Sequence, residues 1–291
     1  MKKSKLVYVL LMIPFFLIMT VFLLSLVDGV LQGFGYIPAF GLEEFTMEYF
    51  QMVFSSPNLP KSIGISLYVA SVSAMMATAL AVLLSFALVN TKKDRGVLYA
   101  VIRVPMFVPW VVTGLMMIHL LSGGGWLARL VSELGLGAFA RAFEHVLYSP
   151  GQAGIIIAFV WACTPFACFL IQTVMSRVTD TMSEAAANLG AGLWRRFWNV
   201  TLPLCRPVIS NSFLILLVSC FGSFEIPTML GMTMPRALPV EIYYQCTNQS
   251  LANRPYAMAL NSIMLVLALV LTGAVLMVGR LSRRREAYHE D

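Results

Sequence analysis

Charge is scarce in this sequence, and the scarcity excludes most of what a chain of this length can be. Lys, Arg, Asp and Glu make up 12% of its 291 residues, against about 25% in an average soluble domain. With 59% hydrophobic residues beside that figure, the chain reads as an integral membrane protein with several spans. There are three histidines and no H-E-x-x-H pattern, so the helical zinc-hydrolase signature is missing. The five cysteines form no C-x-x-C pair. Cys163, Cys168, Cys205 and Cys220 lie in or beside apolar runs and read as small buried hydrophobes, and only Cys246 falls in an outer loop, so no internal disulfide is implied. No G-x-x-x-x-G-K-[ST] occurs, and the chain cannot cradle nucleotide phosphates by that loop.

What the chain has instead is long apolar runs. A helix that crosses a bilayer needs about 20 mostly apolar residues. Six segments qualify: Leu6–Val27, Ile63–Val89, Val97–Leu121, Gly154–Met175, Val208–Leu230 and Tyr256–Val278. Each is expected to be helical, because lipid offers no partner to free backbone groups. Pro14, Pro105, Pro109 and Pro165 fall inside these segments and are expected to kink their helices. The opening "MKKSKLVYVLLMIPFFLIMTVFLLSL" starts like a signal peptide, but its apolar run exceeds an h-region of about 7–15 residues and no A-x-A-like site follows closely. It is read as a retained first span.

The expected orientation follows from Lys and Arg. One set of connections carries Lys2, Lys3, Lys5, Lys92, Lys93, Arg95, Arg103, Arg177, Arg195, Arg196, Arg206, Arg280, Arg283, Arg284 and Arg285, which is 15 of the 20 basic residues. The other carries only Lys61, Arg129, Arg141, Arg236 and Arg254. This bias places both termini in the cytoplasm and accounts for the net charge of +6, so nucleic acid is dropped as a partner. Among the outer connections, "EEFTMEYFQMVF" (Glu43–Phe54) has helical spacing that suits either a membrane-interface helix or an ordinary packing helix. His119, the only histidine inside a span, reads as a packing residue at its outer end.

The inner connection from Ser176 to Pro207 is expected to form two short helices with a break. Thr181-x-x-Glu184 has the form of a capping box. Ala185, Ala186 and Ala187 favour helix with little bulk, and Gly190 and Gly192 offer a place to end it and turn. "LWRRFWNV" (Leu193–Val200) is amphipathic, and Pro203 is expected to stop that helix before the fifth span. By residue chemistry alone this is either a docking knob for a soluble partner or a loop that packs only on its own bundle.

The pattern Glu184-Ala185-Ala186, three residues, Gly190, nine residues, Val200, one residue, Leu202-Pro203 resembles the EAA loop of bacterial ATP-binding cassette importer permeases. Val200 stands where Ile is commoner. The "NLPKSIGISLYVASVSAMMATALAVLLSFAL" stretch and the Leu-Pro-Leu-x-x-Pro run extend the likeness to a six-span core over about residues 48–278. The resemblance implies an all-α integral membrane fold of the type I importer class, N-in and C-in. Its parts would be a tail and first span at 1–30, an outer loop at 31–62, a core at 63–279 with the coupling loop at 176–207, and a cytoplasmic tail at 280–291.

It further implies a non-catalytic subunit of the bacterial inner membrane. ATP and Mg would belong to a separate ATPase dimer. The other partners would be a second permease of a different sequence, an extracellular or periplasmic binding protein, and membrane lipid. Glu184 would hold the helix start and contact the ATPase, Ala185 and Ala186 would allow close approach, Gly190 would form the turn, and Leu202-Pro203 would fix the exit into the fifth span. Arg195, Arg196 and Trp198 fall in the motif's variable part and receive no specific contact.

An ionisable residue inside a span is costly and by default a functional candidate. Glu225 follows Phe221 and Phe224, and a carboxylate beside aromatic rings suits a cation; the alternative is a hydrated carboxylate near the outer surface, or one paired with Arg236 or Arg254. The neighbourhood resembles the polyamine, iron(III), thiamine and phosphonate branch of the family, with spermidine or putrescine the first expectation and iron(III) the second. Tyr243, Tyr244 and Gln245 lie in the next outer loop, where a binding protein could dock. An ATP-independent transporter would need charged pairs or broken helices in two related halves, and an intramembrane enzyme would need a nucleophile and base at membrane depth; neither pattern stands out.

Overall fold

The computed structural model describes the backbone of residues 2–91, 95–183, 185–186, 189–248, 250 and 253–287. Helices dominate: α1 (Lys2–Gly33), α2 (Glu48–Ser55), α3 (Leu59–Asn90), α4 (Arg95–Arg103), α5 (Trp110–Leu121), α6 (Trp126–Glu133), α7 (Ala153–Val178), α8 (Leu202–Gly222), α9 (Glu225–Leu230), α10 (Leu238–Cys246) and α11 (Arg254–Ala287). Six helical segments are long and apolar enough to cross a membrane: Leu10–Gly33, Leu59–Asn90, Trp110–Glu133, Ala153–Ser183, Leu193–Gly222 and Arg254–Met277. The all-helical, six-span reading therefore holds. Pro14 and Pro165 sit inside continuous helices.

Two spans differ from the sequence expectation, and proline explains both. The run Val97–Leu121 is not one kinked helix. It breaks at Val104–Phe107, which forms a 3₁₀ turn, and helix resumes at Trp110. Val108, just before Pro109, is extended at φ −85° and ψ 120°, as the proline ring demands of its predecessor. The run Val208–Leu230 also divides. Helix α8 ends at Gly222, Ser223 is extended, and α9 starts at Glu225. Pro227 lacks the N–H that would bond the carbonyl of Ser223, and its ring crowds that carbonyl.

By internal packing the chain forms two compact units. The first comprises Met1–Leu59 and Glu241–Leu267. In it α1 approaches α11 so closely that a Cβ on Gly33 would lie 3.1 Å from the Ala259 nitrogen. Gln32 accepts from Arg254 Nε at 3.0 Å and donates to Asp28 at 2.7 Å. Phe34 packs on Phe50 and Tyr36 stacks on Phe45. The helix expected around Glu43–Phe54 starts only at Glu48, whose N–H bonds the Thr46 hydroxyl at 3.1 Å.

The second unit comprises Pro60–Val240 and Ala268–Asp291. Its α3 buries Ser66, Ala70, Ser73, Ala77, Ala81 and Ser85, small side chains at helical spacing that let neighbouring backbones come near. Ser66 Oγ accepts from the Leu238 N–H at 2.7 Å, and Ser85 Oγ donates to the Cys168 carbonyl at 3.2 Å. Helix α7 is its centre, with Ile155, Phe159, Ala167, Ile171 and Met175 all at 1% exposure or less.

Candidate functional site

Among the described residues the inner connection forms two helical arms around a break at 189–192, and the arms extend the neighbouring spans instead of standing as separate short helices. Helix α7 continues through a π-helical turn at Thr179–Ser183. Thr181 donates its hydroxyl to the Arg177 carbonyl at 2.8 Å, so it sits within a running helix and does not cap a new one. Glu184 and Ala187 lie outside the described residues; Ala185 and Ala186 are helical. Beyond them Gly190 takes φ +84°, and the Ala191 N–H bonds the Ala186 carbonyl at 3.0 Å. A left-handed residue with that six-to-one bond just past it is a Schellman cap. Among the described residues nothing lies within 4 Å of where a Gly190 Cβ would be. The position needs glycine for its backbone angle, not for space.

Leu189, at the apex, is 90% exposed. Sequence reasoning missed it, although the signal was there: an apolar residue directly before the turn glycine. The return path is a helical turn at Leu193–Arg196 and a second π-helical turn at Phe197–Thr201, leading directly into α8. Pro203 therefore does not stop a helix. It lies within the helical run Leu193–Gly222, and Asn199, whose carbonyl its ring would crowd, is in the π turn.

Aromatic packing roots this segment on α3. Phe197 is 3% exposed, and its ring centroid lies 4.4 Å from Phe86, 5.2 Å from Trp198 and 6.2 Å from Trp194. Trp194 also meets Phe86 at 5.8 Å. Arg196, which the motif left without a role, donates from Nη1 to the Ser183 carbonyl at 3.2 Å and so ties the outgoing arm to the incoming one. Val200, Leu202 and Pro203 are half-buried, while Gly192, Leu193, Trp194 and Arg195 are exposed. The result is a knuckle with a buried aromatic root and an exposed apolar tip.

The second candidate region is the break between α8 and α9. Phe221 is buried at 1% exposure, and Phe224 and Glu225 are half-buried. The Ser223 hydroxyl donates to Glu225 Oε2 at 3.0 Å, and the Thr228 hydroxyl donates to the Phe224 carbonyl at 2.6 Å. Helix α9 packs against α5 at Gly114, where a Cβ would meet the Met229 sulfur at 2.6 Å. A half-buried carboxylate thus stands on the first residue of a short helix, oriented by a neighbouring hydroxyl. His119 is exposed, with Nδ1 2.9 Å from the Leu115 carbonyl. Tyr243 and Tyr244 are exposed on α10, and Gln245 is held by Glu241 at 2.8 Å. Among the described residues no group of three or more His, Cys, Asp or Glu side chains is placed to hold a metal.

Comparison with known proteins bears on the chain as a whole. Residues 77–285 match the family described as "Binding-protein-dependent transport system inner membrane component". The molybdenum transport system permease protein ModB of Azotobacter vinelandii is 25% identical over 186 residues, which is 62% of this chain and 78% of ModB. The ferric transport system permease protein FbpB of Actinobacillus pleuropneumoniae is 24% identical over 234 residues, 79% of this chain but only 32% of FbpB. The fold matches, with a TM-score of 0.76, the crystal structure of a bacterial ABC transporter involved in the import of the acidic polysaccharide alginate. That match is 20% identical and covers 97% of this chain and 96% of the other.

Proposed function

The chain belongs to the family of binding-protein-dependent transport system inner membrane components, permease subunits of ATP-binding cassette importers, and from that premise we propose how its two regions divide the work. The knuckle at Ala185–Pro203 docks on a separate ATPase, with Glu184 at its entry. The observation that carries this is the capped turn: an apolar tip, Leu189, 90% exposed on a segment rooted through the buried Phe197. An apolar side chain held out on a rigid root fits a groove on a soluble partner. Rigidity matters because a loop that yields would absorb the closure of an ATPase dimer instead of passing it to α7 and α8.

In this scheme both termini face the cytoplasm of a bacterial inner membrane. A second permease of different sequence completes the path, and a binding protein delivers the solute on the far side. ATP and Mg act on the ATPase, and this chain performs no chemistry.

Co-purification tests the docking. Leu189→Asp should abolish recovery of the ATPase with the permease while leaving the permease folded, since the side chain is 90% exposed. Full recovery with Leu189→Asp would remove the knuckle's role.

For the solute, the half-buried Glu225 beside Phe224, held by Ser223, favours a small cation, with spermidine or putrescine the first case. A charge and a ring face act together on such a cargo. Iron(III) is the second reading, favoured by the FbpB relative, whose name states ferric transport. Stimulation of the reconstituted complex's ATPase by spermidine, by iron(III) or by an oxyanion, each with its binding protein, decides among them. Stimulation by the oxyanion alone would overturn the cation reading.

A further inference from the structure

Two thiols outside both functional regions face each other in the bundle. Cys163 of α7 and Cys220 of α8 bring their Sγ atoms to 3.9 Å, and each is 4% exposed. Their positions are mechanically telling. Helix α7 enters the coupling segment and the run ending in α8 leaves it. Cys220 lies two residues before the end of α8, next to the break that carries Glu225. The pair therefore joins the two arms of the knuckle well away from it, between the interior of α7 and the far end of α8. A cavity of about 250 Å³ lies beside it, lined by Met106, Trp110, Cys163, Phe166, Ile215 and Ser219 among others. Its walls are mostly apolar, and Cys163 is one of the residues that line it.

We propose that Cys163 and Cys220 form an oxidisable dithiol that, when joined, staples α7 to α8. A disulfide has its sulfurs about 2.05 Å apart, so the two must close by about 1.9 Å. The reaction needs a two-electron oxidant able to enter the bilayer, of the quinone class. Both S–H bonds break, one S–S bond forms, and the two electrons and two protons pass to the quinone, which leaves as hydroquinone. The staple fixes α7 and α8 in one relative position beside the Glu225 break. A permease that must shift these helices against each other during transport stops, and reduction releases it. That consequence rests on the proposed importer function; formation of the bond does not.

The test uses the assembled complex and diamide as the oxidant, whose N=N bond takes up the two hydrogens. After treatment the protein is denatured, alkylated with N-ethylmaleimide and weighed intact. Five adducts are expected without oxidant, one for each cysteine. Three are expected after it, on Cys168, Cys205 and Cys246. Solute-stimulated ATPase should be largely lost, recover with dithiothreitol, and resist diamide in both Cys163→Ser and Cys220→Ala. Five adducts after diamide, or loss of a different pair, would overturn the dithiol. Three adducts with unchanged ATPase would overturn the staple. A complex with no solute-stimulated ATPase before oxidation counts against the importer reading, while the adduct count still decides the dithiol.

Discussion

The knuckle at Ala185–Pro203 and the break at Ser223–Phe224 both interrupt a long helix, but they do it by opposite means. At the knuckle the described residues form helical arms on both sides of a break at 189–192, with π turns at Thr179–Ser183 and Phe197–Thr201 and a left-handed residue at Gly190. Its apolar side chains divide between a buried root, Phe197, and an exposed tip, Leu189. At the break the helix stops outright, and a polar pair, Ser223 and Glu225, fills the gap. An interruption that preserves helical stiffness and projects apolar surface suits force transfer to a protein groove. One that gives up backbone bonds and holds a carboxylate half-buried suits contact with a charged solute. The same bundle carries both because α8 runs from one to the other.

The comparison can be broken most sharply at the root. Phe197→Ala should cost about 3–5 kcal/mol, the usual price of emptying a buried aromatic site. It should lower the thermal midpoint of the purified permease and also abolish ATPase stimulation. Trp198→Ala, on a side chain 59% exposed, should do neither strongly. If the two variants behave alike, the root does not distinguish the knuckle. Next comes the turn. Gly190→Val forces a β-branched residue to φ +84°, at a cost of about 1–2 kcal/mol, which should weaken ATPase binding about tenfold. Gly190→Asn, which tolerates left-handed backbone, should restore most of it. Because space around Gly190 is open, equal damage from Asn and Val would point to a direct clash with the partner instead of backbone strain.

Much of the knuckle could be read from residues. Gly190 announces its turn because few other residues adopt positive φ, and the alanines before it announce a helix. The π turns could not be read: a shift from four-residue to five-residue bonding leaves no composition signal and is set by packing, here around Phe197 and Pro203. For the same reason the Arg196 bond to Ser183 was invisible, since its acceptor exists only where a π turn brings the arms together. The breaks at Val104–Pro109 and Ser223–Phe224 did carry signals, in Pro105, Pro109 and Pro227. Those signals do not decide a break alone, because a membrane helix can also hold a proline without ending, as at Pro14 and Pro165. The facing thiols of Cys163 and Cys220, 57 residues apart in the chain, are a product of helix pairing alone.

Within the break, the carboxylate and its hydroxyl partner should separate cleanly. Glu225→Gln keeps an oxygen to accept from Ser223, so the fold should hold while uptake of a cationic solute falls about tenfold, near 1.4 kcal/mol. Uptake unchanged in Glu225→Gln would leave the carboxylate as a local packing element.

Ser223→Ala should have the smallest effect. It removes one hydrogen bond to a charged group, worth about 1.5–3 kcal/mol when buried and less here, because Glu225 is half-exposed and water can replace the donor. Uptake should fall no more than a few-fold, with the loss in apparent affinity for the solute and not in maximal rate, since the hydroxyl orients the carboxylate without supplying charge. An effect as large as that of Glu225→Gln would mean that the 6% exposed Ser223 sets the geometry of the break itself, and the carboxylate would then be the dependent partner of the pair.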